Sequence, residues 1–263
     1  MLSHNGKMKE YGLIGFPLGH SFSKKFFTDK FSREGIDARY DNFEIAHASQ
    51  LRDIVAEHPN LEGLNCTIPH KEAIMAELDK VDTEAAEIGA VNVIKIQRIS
   101  SPTLSSTDSG NKPLLIGYNS DVIGFTQSIS PLLKPHHKNA LILGTGGAAK
   151  AIEYGLKKLG IACTYVSRKK KDNNISYDDL NAENIGHYHI IVNCTPVGMF
   201  PHTEEKPTLP YEGITNKHLL YDLVYNPLET LFLKEGRLRG AATKNGMEML
   251  ELQALASWEI WNK

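Results

Sequence analysis

The segment that most constrains the fold runs from Ala140 to Ala149, where a short apolar stretch leads directly into a glycine-rich turn. Gly144, Gly146 and Ala149 have the spacing G-x-G-x-x-A, and residues 150–159 follow with helical periodicity. Residues without bulk are needed here because the backbone must bend sharply and approach a pyrophosphate held at a helix N-terminus. A strand before the turn and a helix after it are the context that this motif requires. The segment therefore predicts the first strand, turn and helix of a dinucleotide-binding domain.

The motif begins near the middle of a 263-residue chain, which leaves room for a second domain of similar size before it. Apolar stretches alternate with helical periodicity on both sides of residues 134–138, so we expect an α/β protein with two mostly parallel sheets. A boundary there divides the chain into a first domain over 1–133, which we expect to hold the substrate, and a Rossmann-like dinucleotide-binding domain over 134–246. The last helix, predicted over 247–263, is long enough to leave the second domain and complete the first.

The periodicity also predicts the individual elements. Strands are expected at 11–15, 40–45, 61–68, 91–97, 114–118, 140–143, 161–167, 190–193, 219–223 and 241–243. Helices are expected at 24–34, 49–57, 69–78, 83–88, 121–133, 150–159, 177–184, 228–235 and 247–261, with Pro69 in the first turn that proline favours. Residues 98–113 are rich in Ser, Thr and Gly and are predicted to form a loop.

Composition excludes several classes of protein. Lys and Arg number 29 and Asp and Glu number 31, so there is no electrostatic reason to expect a nucleic acid or a membrane as partner. The three cysteines, Cys66, Cys163 and Cys194, are far apart and predict neither a disulfide framework nor a metal site. The first ten residues lack the apolar core of a signal peptide, which favours a cytoplasmic protein.

The residues after the second strand of the nucleotide domain discriminate between NAD and NADP. An acidic residue there accepts hydrogen bonds from the ribose hydroxyls of NAD, whereas a basic residue matches the additional phosphate of NADP. Here Ser167 is followed by Arg168 and three lysines, and the first carboxylate is Asp172. The planar guanidinium of Arg168 suits a phosphate, so the segment predicts NADP. A solvated basic turn is the alternative interpretation.

Four segments of the first half are unusual for a plain scaffold. They read Gly15-Phe-Pro-Leu-Gly-His-Ser-Phe-Ser23, Asn65-Cys-Thr-Ile-Pro-His-Lys71, Gly89-Ala-Val-Asn92 and Gly117-Tyr-Asn-Ser-Asp121. Together with the glycine-rich turn, Asn193-Cys-Thr-Pro-Val-Gly-Met199 and Gly246-Met-Glu-Met-Leu-Glu-Leu-Gln253, they resemble the shikimate dehydrogenase family in the same order. The chain departs from the commonest family wording at Ser120, at Thr145 and at residues 167–169, where a hydroxyl, a small residue and the arginine are retained.

The resemblance implies reversible, NADP-dependent reduction of 3-dehydroshikimate to shikimate in aromatic amino acid biosynthesis. It also implies a substrate-binding and catalytic domain over 1–133 that the C-terminal helix completes. We expect a monomer or homodimer. The resemblance implies that Ser21 and Ser23 bind the substrate carboxylate, with Tyr225 nearby. It implies that the ring hydroxyls are held by Thr67, Lys71, Asn92, Asp121 and Gln253. The cofactor-binding residues that it implies are Gly144, Gly146, Gly147, Ala148, Ser167, Arg168, Thr195, Leu223 and Gly246.

Several of these residues also have a purely structural alternative. In that alternative, Ser21 or Ser23 would cap the helix near residue 24, and Asp121 would cap the helix that it begins. Asn65 and Asn92 would be ordinary turn residues, and Gln253 would face solvent. Lys71 is different, because the first turn of a helix disfavours a cation and a lysine there is a candidate for function rather than stability.

We hypothesise that Lys71 donates the proton in reduction and that Asp121 orients Lys71 and the reacting hydroxyl. A quinate or dual quinate/shikimate dehydrogenase is the nearest alternative, against which the small Ser23 and the basic turn at Arg168 argue. A catalytically silent NADP-binding sensor is a more remote alternative, because it has no reason to keep both Lys71 and Asp121.

Overall fold

The computed structural model describes residues 8–19, 22–98, 112–168, 170 and 174–263. They form two compact units. The first extends to Ser120 and includes Ala254–Lys263, and the second is Asp121–Gln253. In the described residues, each helix is too short or too polar to cross a lipid bilayer.

The first unit is built on a mixed sheet. Its strands are β1 (Lys9–Gly15), β2 (Ala38–Glu44), β3 (Leu61–Cys66), β4 (Lys80–Val81), β5 (Val93–Gln97) and β6 (Leu114–Tyr118), and its helices include α1 (Phe22–Glu34), α2 (Leu51–Glu57) and α3 (Thr83–Ile88). The described strands lie in the order β2-β1-β3-β5-β6-β4. β5 runs antiparallel to β3 and β6, whereas β1 pairs parallel with β2 and β3. The carboxyl ends of β1, β3 and β6 and the amino end of β5 therefore meet at one edge, which we call the substrate edge.

The second unit has the strand order of a doubly wound nucleotide-binding domain. Its elements are α4 (Asp121–Ile129), β7 (Asn139–Leu143), α5 (Gly147–Lys158), β8 (Ala162–Ser167), β9 (Asn174–Ser176), β10 (Ile190–Asn193), β11 (Leu219–Asp222), α6 (Leu231–Leu238), β12 (Ala242–Lys244) and the first part of α7 (Met247–Asn262). The described strands lie in the order β12-β11-β10-β7-β8-β9, and each pair is parallel. This topology confirms the predicted fold class. The carboxyl ends of these strands form what we call the cofactor edge.

The central strands of the second unit are buried on both faces, as parallel strands covered by helices are. Every residue of 140–143 and 190–192 is fully buried, which explains their uninterrupted apolar sequence. α5 places Ala149, Ile152 and Leu156 on one side of this sheet, where they share a core with Ile142 and Val192.

The compact units divide at positions that differ from the predicted boundary at 134–138. α4, which was expected in the first domain, packs on α5 instead, because Gly155 leaves room for it. A Cβ at Gly155 would lie 2.9 Å from Thr126 and 3.2 Å from Phe125. Phe125 and Ile129 accordingly belong to the core of the second unit. The functions assigned to the two parts stay predictions.

The C-terminal end of α7, from Ala254 onward, belongs to the first unit. Trp261 is its anchor. The indole Nε1 donates to the carbonyl of Ile94 at 3.1 Å, and its ring lies 4.9 Å from that of Tyr11 and 5.3 Å from that of Phe27. Gly63 has no side chain, so the indole rests directly on the β3 backbone.

Two predicted helices are wrong. Residues 69–78 form turns and a 3₁₀ helix at Ala73–Glu77. The Lys71 carbonyl accepts from Val91 N at 2.8 Å and the His70 ring bonds the Ile45 carbonyl at 2.7 Å, so this segment is tied to its neighbours.

Residues 177–184 likewise form only 3₁₀ turns at Tyr177–Asp179 and Asn184–His187. Here the Asn181 side chain accepts from the amides of Glu183 and Asn184 and competes with helical hydrogen bonding. The short strands β4 and β9 were not predicted, and residues 99–111 of the predicted loop lie outside the described residues.

Candidate active site

Residues predicted to bind substrate lie along the substrate edge of the first sheet. Ser23 is in the first turn of α1, which follows β1. Thr67 and Lys71 follow β3, and Asn92 directly precedes β5. Because β5 is antiparallel to β3, its amino end comes to the same edge as the carboxyl end of β3. Ser21 lies outside the described residues.

Ser23 belongs to a chain of hydrogen-bonded hydroxyl and amide groups. Its hydroxyl bonds that of Tyr40, which donates to Asn65 Oδ1 at 2.8 Å. Asn65 Nδ2 donates in turn to Ser257 Oγ on α7 at 2.9 Å. Burial raises the pKa of Tyr40 well above its usual range, so the phenol stays neutral and keeps its proton for Asn65. Asn65 is thus a buried support of this edge rather than a surface turn residue.

Asn92 is held in one orientation by Ser120. The Asn92 Nδ2 donates to Ser120 Oγ at 3.0 Å, and its Oδ1 accepts from the Ser120 amide at 2.7 Å. Its backbone joins two strands, since its amide donates to Tyr118 O and its carbonyl accepts from Cys66 N. Asn92 is 3% exposed. The interpretation of Asn92 as an ordinary turn residue is therefore wrong.

Lys71 is half-buried at the substrate edge. The sequence argument that placed Lys71 in the first turn of a helix is wrong, because no α-helix begins at Pro69 and Lys71 does not lie at the positive end of a helix dipole. Its backbone is fixed by the bond from Val91 N to its carbonyl. Lys71 shares its loop with Thr67, and Gly15 allows this loop to approach β1. A Cβ at Gly15 would lie 2.5 Å from Thr67 Cγ2.

Asp121 and Gln253 belong to the second unit. Asp121 is the first residue of α4 and is 6% exposed, a position where the helix N-terminus favours a negative charge. Gln253 is 8% exposed, so the solvent-facing interpretation is wrong. Gly124 explains the burial, because a Cβ there would lie 2.9 Å from Gln253 N and would keep α7 away from α4. The Gln253 Nε2 donates to Leu250 O at 2.9 Å.

The predicted cofactor residues all lie along the cofactor edge. Each ends a strand of this sheet, follows the end of a strand or begins the helix after it. They are Gly144, Gly146, Gly147 and Ala148 after β7, Ser167 and Arg168 at the end of β8, Thr195 after β10, Leu223 after β11 and Gly246 after β12. Tyr225 also follows β11, and burial raises the pKa of its phenol.

The glycine-rich turn has the geometry that a pyrophosphate requires. Gly144 has a φ of +101°, which only glycine adopts readily, and a Cβ there would lie 3.1 Å from Thr195 Cγ2. Gly146 is the N-cap of α5, and apart from its chain neighbours no described residue has an atom within 4 Å of where its Cβ would be. No side chain of the described residues caps this helix, so its first amides remain for an anion.

A cleft of about 940 Å³ opens beside this turn. Its walls include Gly144, Ser167, Arg168 and Thr195, and the side chain of Arg168 is exposed. The cleft therefore places a guanidinium, a group that binds phosphates, beside the glycine-rich turn that leads into α5. Lys169, Lys171 and Asp172 lie outside the described residues.

Comparisons with known proteins assign the chain. Residues 13–94 match the family model described as the shikimate dehydrogenase substrate binding domain. A protein of Methanococcus maripaludis named shikimate dehydrogenase (NADP(+)) is 40% identical, over 98% of this chain and 93% of its own length. The chain belongs to the shikimate dehydrogenase family.

Solved structures agree with this assignment. The chorismate mutase/shikimate 5-dehydrogenase fusion protein of Clostridium acetobutylicum is 36% identical, with a TM-score of 0.81 over 97% of this chain and 91% of that one. The shikimate 5-dehydrogenase of Thermus thermophilus, in complex with NADP(H) and shikimate, is 27% identical, with a TM-score of 0.79 over 97% of this chain and 93% of that one. The family predicted from the sequence motifs is confirmed, and the names of these relatives agree with the predicted enzyme class and cofactor.

In this member of the shikimate dehydrogenase family, the cofactor edge contains a polar residue that sequence reasoning missed. Asp222 ends β11 and is fully buried, as is Asn193 at the end of β10. Asn193 Nδ2 donates to Asp222 Oδ1 at 3.0 Å. The sequence feature that could have identified Asp222 is a carboxylate at the end of the otherwise apolar strand Leu219–Asp222, just before the predicted site residues Leu223 and Tyr225.

Proposed function

We propose that this chain catalyses the reversible, NADP-dependent interconversion of 3-dehydroshikimate and shikimate, a step of aromatic amino acid biosynthesis. The observation that carries the proposal is near-complete alignment at 40% identity with a relative named shikimate dehydrogenase (NADP(+)). The position of the predicted residues along two sheet edges supports it, because ligands of open α/β sheets bind at the carboxyl ends of strands.

The cofactor edge fits a dinucleotide. The free amides of α5 and the open space at Gly146 would accept the pyrophosphate, while Thr195, Leu223 and Gly246 would lie along the nicotinamide half. Arg168 would hold the additional phosphate, because a guanidinium pairs with phosphate oxygens through two parallel hydrogen bonds. Bound NADPH supplies the hydride for reduction of the ketone.

The substrate residues supply neutral hydrogen-bonding groups for a polyhydroxylated ring. Ser21 and Ser23 would bind the substrate carboxylate with Tyr225 nearby, and Thr67, Asn92 and Gln253 would hold the ring hydroxyls. The bonds of Ser23 to Tyr40 and of Asn92 to Ser120 orient these side chains before substrate arrives. Such preorganisation removes a cost that binding would otherwise have to meet.

Lys71 and Asp121 form the catalytic pair of this proposal. Lys71 donates a proton to the alkoxide oxygen in reduction and accepts it in oxidation, and Asp121 orients the ammonium and the reacting hydroxyl. Asp121 directly follows Ser120, which is bonded to Asn92 at the substrate edge. Removing a general acid of this kind lowers the rate by about 10² to 10⁴.

The first experiment mixes the purified protein with shikimate and NADP⁺ and follows the absorbance of the reduced cofactor. Parallel reactions replace NADP⁺ by NAD⁺ and shikimate by quinate. Turnover restricted to shikimate and NADP⁺ is the expected result. Turnover with quinate would favour the dual-specificity alternative, and NADP⁺ binding without any turnover would favour a sensor.

Lys71→Met tests the catalytic pair. We expect kcat to fall by about 10² to 10⁴ while the Kd of NADP⁺ stays within about twofold of the wild-type value. Lys80→Met is the control, since Lys80 is an exposed lysine of the same sheet at the start of β4. A kcat near the wild-type value in Lys71→Met would remove this residue from the mechanism.

A cytoplasmic location and a monomeric or homodimeric state belong to the same proposal. The location is supported by cysteines that predict no disulfide framework.

A further inference from the structure

A cluster of buried polar side chains lies under the cofactor edge of the second sheet. Asn193, Asp222 and Thr230 are 0%, 0% and 1% exposed. They come from the end of β10, the end of β11 and the residue before α6. None of them was among the residues predicted to bind cofactor or substrate, and the proposed chemistry does not use them directly.

The Asp222 carboxylate is the acceptor that joins these elements. Its Oδ1 accepts from Asn193 Nδ2 and from the amide of Val224, both at 3.0 Å. Its Oδ2 accepts from Thr230 Oγ1 at 2.5 Å. Thr230 in turn caps α6 by accepting from Leu233 N at 3.4 Å. Three donors therefore converge on a single carboxylate.

Asn193 extends this connection to the loop after β10. The Asn193 Oδ1 accepts from the Thr195 amide at 3.1 Å and from Thr195 Oγ1 at 2.6 Å. Its Nδ2, which is bonded to Asp222, also donates to Val197 O at 3.3 Å. Because the amide cannot rotate without losing these bonds, Asp222 sets the orientation of Asn193 and thereby the position of Thr195.

Val224 extends the connection to the segment after β11. Its amide is bonded to Asp222, and its carbonyl accepts from Gly246 N at 3.1 Å. The amide of Leu223 donates to Asn193 O at 3.0 Å. Thr195, Leu223 and Gly246, which come from three separate loops, are thus tied to one buried group.

We propose that Asp222 is a positioning residue for the cofactor, whose carboxylate holds the loops carrying Thr195, Leu223 and Gly246 in the conformation that binds NADP. This inference rests on the proposed function. It assigns to Asp222 no contact with substrate or cofactor. Burying a carboxylate costs stability unless its bonds compensate, and two of the three donors that compensate here, Asn193 and Val224, belong to the segments that carry Thr195 and Leu223.

The ionised form of Asp222 is the one that accepts all three bonds. Burial raises its pKa to about 6, so it is charged at neutral pH. Its electrostatic neighbours are the Cys194 thiol and the Tyr211 phenol, and burial raises the pKa of both so that they stay neutral there. Below about pH 6, a proton on Oδ2 would compete with the Thr230 hydroxyl and weaken the link to α6.

Asp222→Asn is the test, with the Kd of NADP⁺ measured directly by calorimetry so that turnover is not needed. We expect binding to weaken about tenfold or more at pH 7.5, because the amide presents a donor where the carboxylate accepts. The ratio of the variant and wild-type Kd values should fall towards one between pH 7.5 and 5.5. Comparing the two proteins cancels the titration of the cofactor phosphate, whose second pKa is also about 6.

Tyr221→Phe is the matched control. It removes a buried hydroxyl from the preceding residue of β11, where the Tyr221 hydroxyl is bonded to Ser128 Oγ of α4 at 2.6 Å. We expect it to lower the melting temperature without changing the Kd of NADP⁺, which separates positioning from general destabilisation. Should Asp222→Asn not fold, Asn193→Ser removes the connecting amide and carries the same expectation of weaker binding.

The outcomes are distinguishable. An unchanged Kd in a folded Asp222→Asn or Asn193→Ser protein would overturn the inference, as would an equal loss of affinity in Tyr221→Phe. Failure of the wild-type protein to bind NADP⁺ would instead overturn the proposed function.

Discussion

Replacing Gly63 by alanine inserts a methyl group into the contact between β3 and α7. The new Cβ would overlap the Cδ1 and Nε1 atoms of Trp261 and lie 2.7 Å from its Cε2. The indole has little freedom to move, since its rings abut Tyr11 and Phe27 and its N–H is bonded to Ile94 O. Overpacking of a core costs about 1–3 kcal/mol and a lost hydrogen bond about 0.5–1.5 kcal/mol. We therefore expect Gly63→Ala to lower the free energy of unfolding of the first unit by about 2–4 kcal/mol.

Urea unfolding followed by tryptophan fluorescence measures this effect selectively. The chain has two tryptophans, and both Trp258 and Trp261 lie in the part of α7 that belongs to the first unit. Gly19→Ala is the control, because no described atom lies within 4 Å of where its Cβ would be. We expect that variant to change the free energy of unfolding by less than about 1 kcal/mol.

A double-mutant cycle with Trp261→Ala identifies the cause. Truncating the indole should itself cost about 3–5 kcal/mol, but it removes the atoms that the new methyl group meets. The Gly63→Ala change should then cost nothing in the Trp261→Ala background. An unaltered unfolding midpoint in Gly63→Ala, or an equal cost in both backgrounds, would refute this account of how α7 is anchored.

Three further predictions concern the second unit. Arg168→Gln should raise the KM for NADP⁺ roughly 10- to 100-fold through loss of a charge-assisted hydrogen bond, with little change in the KM for NAD⁺. An equal rise in KM for both cofactors in steady-state assays would exclude a contact between Arg168 and the additional phosphate. Gly144→Ala should weaken NADP⁺ binding more than about tenfold, as measured by calorimetry, because a φ of +101° strains a residue that has a Cβ, and the new Cβ would press on Thr195 at 3.1 Å. Burial lowers the pKa of His137 and His218, so as the pH falls these imidazoles take up protons in the unfolded chain before they do so in the folded protein. The free energy of unfolding should therefore decrease below about pH 6.5, by at most about 1.4 kcal/mol per pH unit for each histidine. Urea unfolding of the wild type and His218→Gln at pH 7.5 and 5.5 should show a smaller pH dependence in the variant.

The second unit was the more predictable part of the chain, because its signals are local. A continuous apolar strand, a turn of residues without bulk and an amphipathic helix are consecutive in sequence, and local sterics alone require glycine at position 144. The position of Arg168 followed in the same way from the end of β8. The helices predicted at 69–78 and 177–184 were wrong because tertiary and side-chain hydrogen bonds captured backbone groups that a helix needs.

The substrate edge shows the limit of sequence reasoning. Motif resemblance pointed to Ser23, Thr67 and Asn92, but their supporting bonds join residues far apart in the chain. Asn65 and Ser257, for example, are bonded across 192 positions. Periodicity carries no information about such a pair, since it depends on strand order and on where the last helix docks.

The sequence by itself determined the strand-turn-helix unit of the cofactor edge, the basic residue that follows β8 and the identity of the side chains available for chemistry. Each of these depends on residues within a few positions of one another. Only the tertiary structure decided that Gln253 is buried, that α4 joins the second unit and that Asp222 ties three loops together. These outcomes depend on how closely elements approach, and the approach is set by glycines such as Gly124 and Gly155, whose missing side chains matter only once a neighbour lies against them.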